Sequence, residues 1–139
     1  MVSVKVSERV EATADQVWDL FRDFGGVQRF SAGIEKVEVT GSGIGAVRTL
    51  SLPGGLSLQE RLEAFDDRGR RLQYAIVAGP IPDSNYLATI EVKDEGPKAC
   101  RIDWSSHFEP KGITDDQGRA MIEGVYKGGI AGVKKALGV

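Results

Sequence analysis

Arg48-Thr-Leu-Ser-Leu-Pro-Gly-Gly-Leu-Ser-Leu-Gln-Glu60 reads as two strands folded back on each other about Pro53-Gly54-Gly55. Centring the turn on Gly54 sets Leu52 opposite Leu56, Leu50 opposite Leu58, Arg48 opposite Glu60 and Ala46 opposite Leu62. Side chains alternate along a strand, so the apolar pairs share one face, and that face turns inward. Arg48 and Glu60 lie on it with them. Directly opposed residues sit ~5 Å apart at Cβ, close enough for an ion pair.

The same period extends in both directions. Val2, Val4 and Val6 alternate with Ser3, Lys5 and Ser7, and further strands are expected at 34–41, 45–52, 56–65, 70–78, 86–94 and 99–108. Parity turns Leu72, Tyr74 and Ile76 inward, then Tyr86, Ala88, Ile90 and Val92, then Cys100, Ile102, Trp104, Ser106 and Phe108. Val37 and Val39 have the opposite parity and match Arg48 and Leu50 only across a four-residue turn. Gly41-Ser-Gly-Ile-Gly45 joins two strands and so reads as a hairpin turn, with no following helix to make it a nucleotide loop. Short connections make neighbouring strands antiparallel.

Thr13 with Gln16 forms a capping-box pattern that opens a helix through Val17, Trp18, Leu20 and Phe21, closed by Gly25-Gly26. The stretch Val27 to Ala32 reads as a short second helix or a turn. Thr114 with Gln117 opens a long helix to about Leu137, on which Ile122, Tyr126, Ile130, Val133 and Leu137 step by three and four. Helices segregated from a strand meander predict an α+β fold in one domain, residues 1–139. In it a curved seven-stranded antiparallel sheet wraps around a helix ~36 Å long.

With 139 residues, 41% of them apolar, the chain can build a core without a metal or a disulfide. One cysteine, Cys100, and one histidine, His107, cannot assemble a zinc site, and no cofactor is expected. A net charge of −2 argues against a nucleic-acid partner. No apolar run is long enough for membrane insertion, and the alternating N-terminus reads as a strand rather than a signal peptide, so the default expectation is cytoplasmic. A homodimer is left open. Arg68-Gly-Arg-Arg71 beside Asp66-Asp67 reads as a solvated turn, His107 as an outward-facing surface residue and Cys100 as a small core residue.

Arg48 and Glu60 carry two readings. One is a structural buried ion pair, which contributes little to stability because desolvation offsets attraction. The other, favoured here, is a polar anchor in a wet, mostly apolar cavity. The long helix bears on the choice. Ala120, Gly124, Gly128, Gly132 and Ala136 repeat every four residues, and each interior glycine costs ~1 kcal/mol of helix propensity. Either the glycines let helix and sheet approach closely, or they leave volume between them.

The order of elements resembles the helix-grip fold of the START-like (SRPBCC) superfamily, which includes birch-pollen-allergen-like proteins, bacterial polyketide cyclases and abscisic acid receptors. Gly45-Ala-Val-Arg-Thr-Leu50, Glu60-Arg-Leu-Glu63 with Asp66-Asp67, and Asn85-Tyr86 are most similar to the bacterial cyclase/dehydrase branch. The resemblance to the receptors implies gating by the loop Leu52-Pro53-Gly54-Gly55 and water-mediated ligand contacts from Glu60 and Tyr86. Two features depart from the receptors. Ile34-Glu-Lys-Val37 offers no counterpart to their cavity lysine, and Gly79-Pro80-Ile81-Pro82-Asp83 replaces their second loop. The loops after strands 45–52, 70–78 and 99–108 emerge on one side of a meander, where binding is expected.

The functional expectation is a cavity for a small hydrophobic or amphipathic ligand. It is lined by Arg48, Leu50, Leu58, Glu60, Tyr74, Ile76, Tyr86, Ala88, Trp104, Ser106 and Tyr126, and gated by Pro53, Gly54, Pro80, Ile81 and Pro82. If the protein is an enzyme, the resemblance implies a polyketide cyclase/dehydratase-like lyase or isomerase, with Glu60 as general base and Arg48 stabilising an enolate. The alternative is a non-catalytic carrier of lipids or other hydrophobic ligands, or a sensor with a gating loop.

Overall fold

The computed structural model describes residues 1–139. Strand β1 (Val2–Val10) is followed by helix α1 (Ala14–Arg22) and a single 3-10 turn, Val27–Arg29. The meander comprises β2 (Lys36–Thr40), β3 (Val47–Leu52), β4 (Leu56–Asp66), β5 (Arg71–Ala78), β6 (Asp83–Asp94) and β7 (Cys100–Pro110). Helix α2 (Asp115–Leu137) closes the chain. The seven strands form one antiparallel sheet in the order β1-β7-β6-β5-β4-β3-β2, so the N-terminal strand pairs with the last one.

Both capping boxes are made. The Thr13 hydroxyl accepts from the Gln16 amide at 3.1 Å while the Gln16 side chain accepts from the Thr13 amide, and Thr114 with Gln117 repeats the geometry. Helix α1 stops at Arg22, earlier than Gly25-Gly26, because Asp23 turns extended and its carbonyl accepts from the Gly26 amide. Only Val27–Arg29 of the stretch 27–32 is helical, as one 3-10 turn. Helix α2 runs unbroken through Gly128-Gly129 and ends on Gly138 in the left-handed conformation.

The hairpin register is the one read from its sequence: Arg48 opposes Glu60, Leu50 opposes Leu58 and Leu52 opposes Leu56. Val39 opposes Arg48 and Val37 opposes Leu50, as the parity of the preceding strand requires, although β2 is shorter than 34–41. Three irregularities interrupt the constant period, the first a shift of the β4–β5 pairing between Gln59 and Glu60. The β4–β5 pairing shifts between Leu62 and Ala64, which brings odd-numbered Phe65 to the inner face, where it stacks on Trp18. Strand β6 begins earlier than the expected residue 86, at Asp83, and takes up a bulge between Ser84 and Leu87, with Asn85 at φ 56°.

The core is continuous from β1 and β7 to α1 and α2 and includes Val2, Val10, Ile102, Phe108, Ile122, Tyr126 and Ile130. Helix α2 packs on β1 and β7 and against α1 and the 3-10 turn, at one side of the concave sheet. On the outside, the turn after β4 is tied to α1. Asp67 accepts from Trp18 Nε1 at 2.7 Å and from Arg22 Nε at 2.9 Å, and Arg70 donates to Asp15. The basic cluster is a solvated turn, exposed from Asp66 to Gly69, that ion pairs also tie to a helix. His107 is exposed on the outer face and Cys100 is buried in the core. Burial pushes the Cys100 thiol up to about 11, which keeps it protonated and unreactive.

Candidate functional site

Where α2 diverges from β3, β4 and β5, a cavity of about 600 Å³ opens between helix and sheet. Its floor is the even-parity face of the strands: Arg48, Leu50 and Leu58 of the hairpin, Glu60, Leu72 and Tyr74, with Ile90 and Trp104 beyond. Its roof is α2, through Gly124, Val125, Gly128, Gly129 and Gly132. Ser31–Ile34, Leu52 and Ile81, none of them fully buried, complete the lining.

The glycine stripe serves both of its readings, at different positions. A Cβ built on Gly124 or Gly128 would meet nothing within 4 Å, so those two residues leave open volume. A Cβ on Gly129 would come 2.6 Å from Trp104 Cζ3, and one on Gly132 would overlap the Phe30 carbonyl oxygen. These two glycines allow close approach instead.

Arg48 and Glu60 are nearly enclosed, each side chain being 8% exposed. Arg48 Nε donates to Glu60 Oε1 at 2.8 Å and Nη1 donates to the Phe24 carbonyl at 3.1 Å. The guanidinium carbon lies 4.2 Å from the Phe24 ring centroid and 5.2 Å from that of Tyr74, so aromatic faces cover it. The Phe24 carbonyl is available because α1 has already ended at Arg22. Trp104 Nε1 donates to the Tyr74 hydroxyl at 3.1 Å, which leaves the tyrosine's own proton directed to no protein acceptor. Burial holds the Tyr74 pKa well above its ordinary 10, so the group remains a donor.

Of the expected lining residues, Arg48, Leu50, Leu58, Glu60, Tyr74 and Trp104 meet at the cavity. Ile76, Tyr86, Ala88, Ser106 and Tyr126 stand outside it. Ile76 pairs with Glu60 across β4–β5 but does not reach the space. Tyr86 and Tyr126 join hydroxyls in the packed region toward Phe108, and Trp104 stacks on Tyr126 with centroids 4.8 Å apart. That stacked pair is a partition between cavity and solid core. Ser106 Oγ is buried close to the Tyr126 hydroxyl, in geometry too poor for a regular hydrogen bond.

The expected gate loops contribute unevenly. Leu52 and Ile81 reach the cavity, whereas Pro53, Gly54, Pro80 and Pro82 do not. Pro53–Gly55 is a 3-10 turn with Gly54 at φ 81°, a conformation that favours glycine. The Pro110–Ile113 connection is tied to the second loop, as the Lys111 amide donates to the Pro82 carbonyl at 2.8 Å. Sequence reasoning missed Ser31–Ile34, a segment without apolar period, and Phe24, whose part is played by a backbone carbonyl. No three His, Cys, Asp or Glu side chains converge as a metal would need, and no helix is long and apolar enough to cross a membrane.

Comparison with known proteins fits this geometry. Residues 1–138 match the family described as polyketide cyclase/dehydrase and lipid transport. The abscisic acid receptor PYL2 of Arabidopsis thaliana is 27% identical over 133 residues, covering 88% of this chain and 70% of the receptor. The structure of XoxI from Bacillus cereus superposes with a TM-score of 0.90 at 31% identity, covering 98% of this chain and 95% of that one. Norcoclaurine synthase of Thalictrum flavum, in complex with dopamine and hydroxybenzaldehyde, gives 0.75 at 20% identity over 97% of this chain and 85% of that one. At that identity the likeness is one of fold.

Proposed function

We propose, for a chain that belongs to the polyketide cyclase/dehydrase and lipid transport family, that the cavity under α2 takes up one small hydrophobic or amphipathic molecule. The observation that carries this reading is an apolar space of about 600 Å³ with a single polar anchor, Arg48 and Glu60, set in its floor. An apolar pocket with few convergent polar groups is the ordinary form of a small-molecule site. A purely structural ion pair would be expected against packed side chains, whereas this one lines an open volume, along whose exposed edge Gly124 and Gly128 would carry a Cβ into free space. The apolar walls would hold the body of the ligand and the anchor its polar end, with Leu52 and Ile81 completing the lining. The protein then acts as a carrier or sensor that sequesters its ligand from water.

A catalytic version is favoured by one feature: Glu60 Oε2 has no protein partner and lies beside a guanidinium. Glu60 would remove a proton from carbon adjacent to a ligand carbonyl, and Arg48 would stabilise the enolate oxygen, as a cyclase/dehydratase requires. Native mass spectrometry of protein purified from its own host tests uptake, the expected result being a stoichiometric small-molecule adduct. A ligand-dependent rise in Tm separates binding from an incidental void. Turnover of that ligand by the wild type, with kcat lost in Glu60→Gln beyond any change in affinity, makes the protein an enzyme. No turnover by the wild type makes it a carrier.

A further inference from the structure

We infer that the anchor selects a neutral head group that both donates and accepts hydrogen bonds, a carboxamide being the simplest, and discriminates against carboxylates. The inference rests on the reading of the cavity as a ligand site. Among the lining residues Arg48 and Glu60 are the only charged ones, and they face each other at 2.8 Å. The anchor is therefore neutral as a unit, with no uncompensated cation to meet an anion.

What the pair leaves free is specific. Arg48 Nε is taken by Glu60 Oε1, Nη1 serves the Phe24 carbonyl, and the guanidinium faces are covered by Phe24 and Tyr74. Nη2 remains as a donor. Glu60 Oε2 remains as an acceptor. Neither is among the fully buried side-chain atoms that lack partners, and both residues line the cavity. The Tyr74 hydroxyl adds a second donor, since its oxygen already accepts from Trp104.

Two donors and one acceptor lining a single space are complementary in number and kind to a carbonyl oxygen with an adjacent N–H or O–H. The carbonyl would accept from Arg48 Nη2 and Tyr74, and the N–H would donate to Glu60 Oε2. A carboxylate satisfies the donors but sets its charge against Glu60, and like charges juxtaposed in a desolvated site cost heavily. An ammonium group meets Arg48 in the same way. A methyl ester avoids repulsion yet leaves Glu60 Oε2 unpaired, and sites built to bond a polar hydrogen reject analogues that lack it.

Displacement of the neutral fluorophore N-phenyl-1-naphthylamine by decanamide, decanoate and methyl decanoate at pH 7.5 reads the preference directly. Decanamide should bind at least about tenfold more tightly than either competitor. Because any apolar cavity disfavours an anion, the deciding arm is Glu60→Gln. That variant leaves Arg48 without its counter-charge and should invert the order of decanoate and decanamide. Should Glu60→Gln fold poorly by circular dichroism, Arg48→Met with Glu60→Leu is used instead, and there amide and ester should bind within about twofold of each other. A wild-type protein that prefers decanoate, an ester equal to the amide, or a Glu60→Gln ratio unchanged from wild type would each overturn the inference while leaving the cavity reading intact. Failure of the fluorophore and all three probes to bind would overturn the cavity reading itself.

Discussion

Replacing Gly128 by leucine tests whether the space under α2 is real, because its neighbour in sequence supplies the opposite expectation. A Cβ at Gly128 meets nothing within 4 Å, whereas one at Gly129 comes 2.6 Å from the Trp104 ring. Leucine at 128 gains about 0.8 kcal/mol of helix propensity over glycine. Full burial of the side chain would add about 1.5–3 kcal/mol, and since the cavity opens at a mouth only about 1 kcal/mol of that is taken. The sum, about 2 kcal/mol, corresponds for a chain of this size to a rise in Tm of roughly 6–8 °C. The same side chain occupies the volume a ligand would use, so affinity for N-phenyl-1-naphthylamine should fall at least about tenfold. Gly129→Leu should instead lower Tm, since the indole must be displaced from its stack on Tyr126. Thermal circular dichroism and fluorescence titration on the two variants suffice. A Gly128→Leu protein destabilised like Gly129→Leu, or stabilised with unchanged fluorophore affinity, would refute the reasoning.

Three further outcomes follow from particular contacts. Glu60→Leu alone should cost about 3 kcal/mol because it strands a buried guanidinium, whereas adding Arg48→Met should recover most of the loss, as urea unfolding would show. Asp83 is half-buried with Oδ2 unpartnered, and desolvation raises its pKa from 3.8 to about 6. Because the folded chain holds this proton more tightly than the unfolded one, the group subtracts stability as pH rises from about 4 to about 6. Asp83→Asn should therefore be more stable than wild type by ~1 kcal/mol above pH 6, after discounting for partial exposure, and equal to it below pH 4. Tyr126→Phe leaves the Tyr86 hydroxyl buried without its partner and should cost about 1–2 kcal/mol. Since both tyrosines stand outside the cavity, fluorophore affinity should change by less than about twofold.

The fold was legible wherever a period held. Turn chemistry at Pro53-Gly54-Gly55 settled the pairing of Arg48 with Glu60, and the capping boxes at Thr13 and Thr114 placed both helices. Legibility stopped where the backbone departs from its period. The bulge near Glu63 reverses parity for Phe65, and no residue type there announces it. The site was legible in part for a different reason. Parity tells which face a side chain takes but not how far along the strand the helix still touches the sheet. Tyr86 and Tyr74 share a face, yet one lies in packed core and the other at the cavity. Glycines in one stripe look identical in sequence, though Gly128 faces space and Gly132 faces the Phe30 carbonyl. Ser31–Ile34 reaches the cavity through loop geometry that carries no pattern of its own.

The central claim is that a guest enters the space between α2 and the hairpin and meets Arg48 and Glu60 there. Amide chemical-shift mapping during titration with decanamide tests it most directly. Saturable shifts at Ile34, Arg48, Glu60, Gly124 and Gly128, with Ser3 and His107 on the outer face unmoved, are the predicted result. Shifts confined to the outer face, or none at saturating probe, would contradict it.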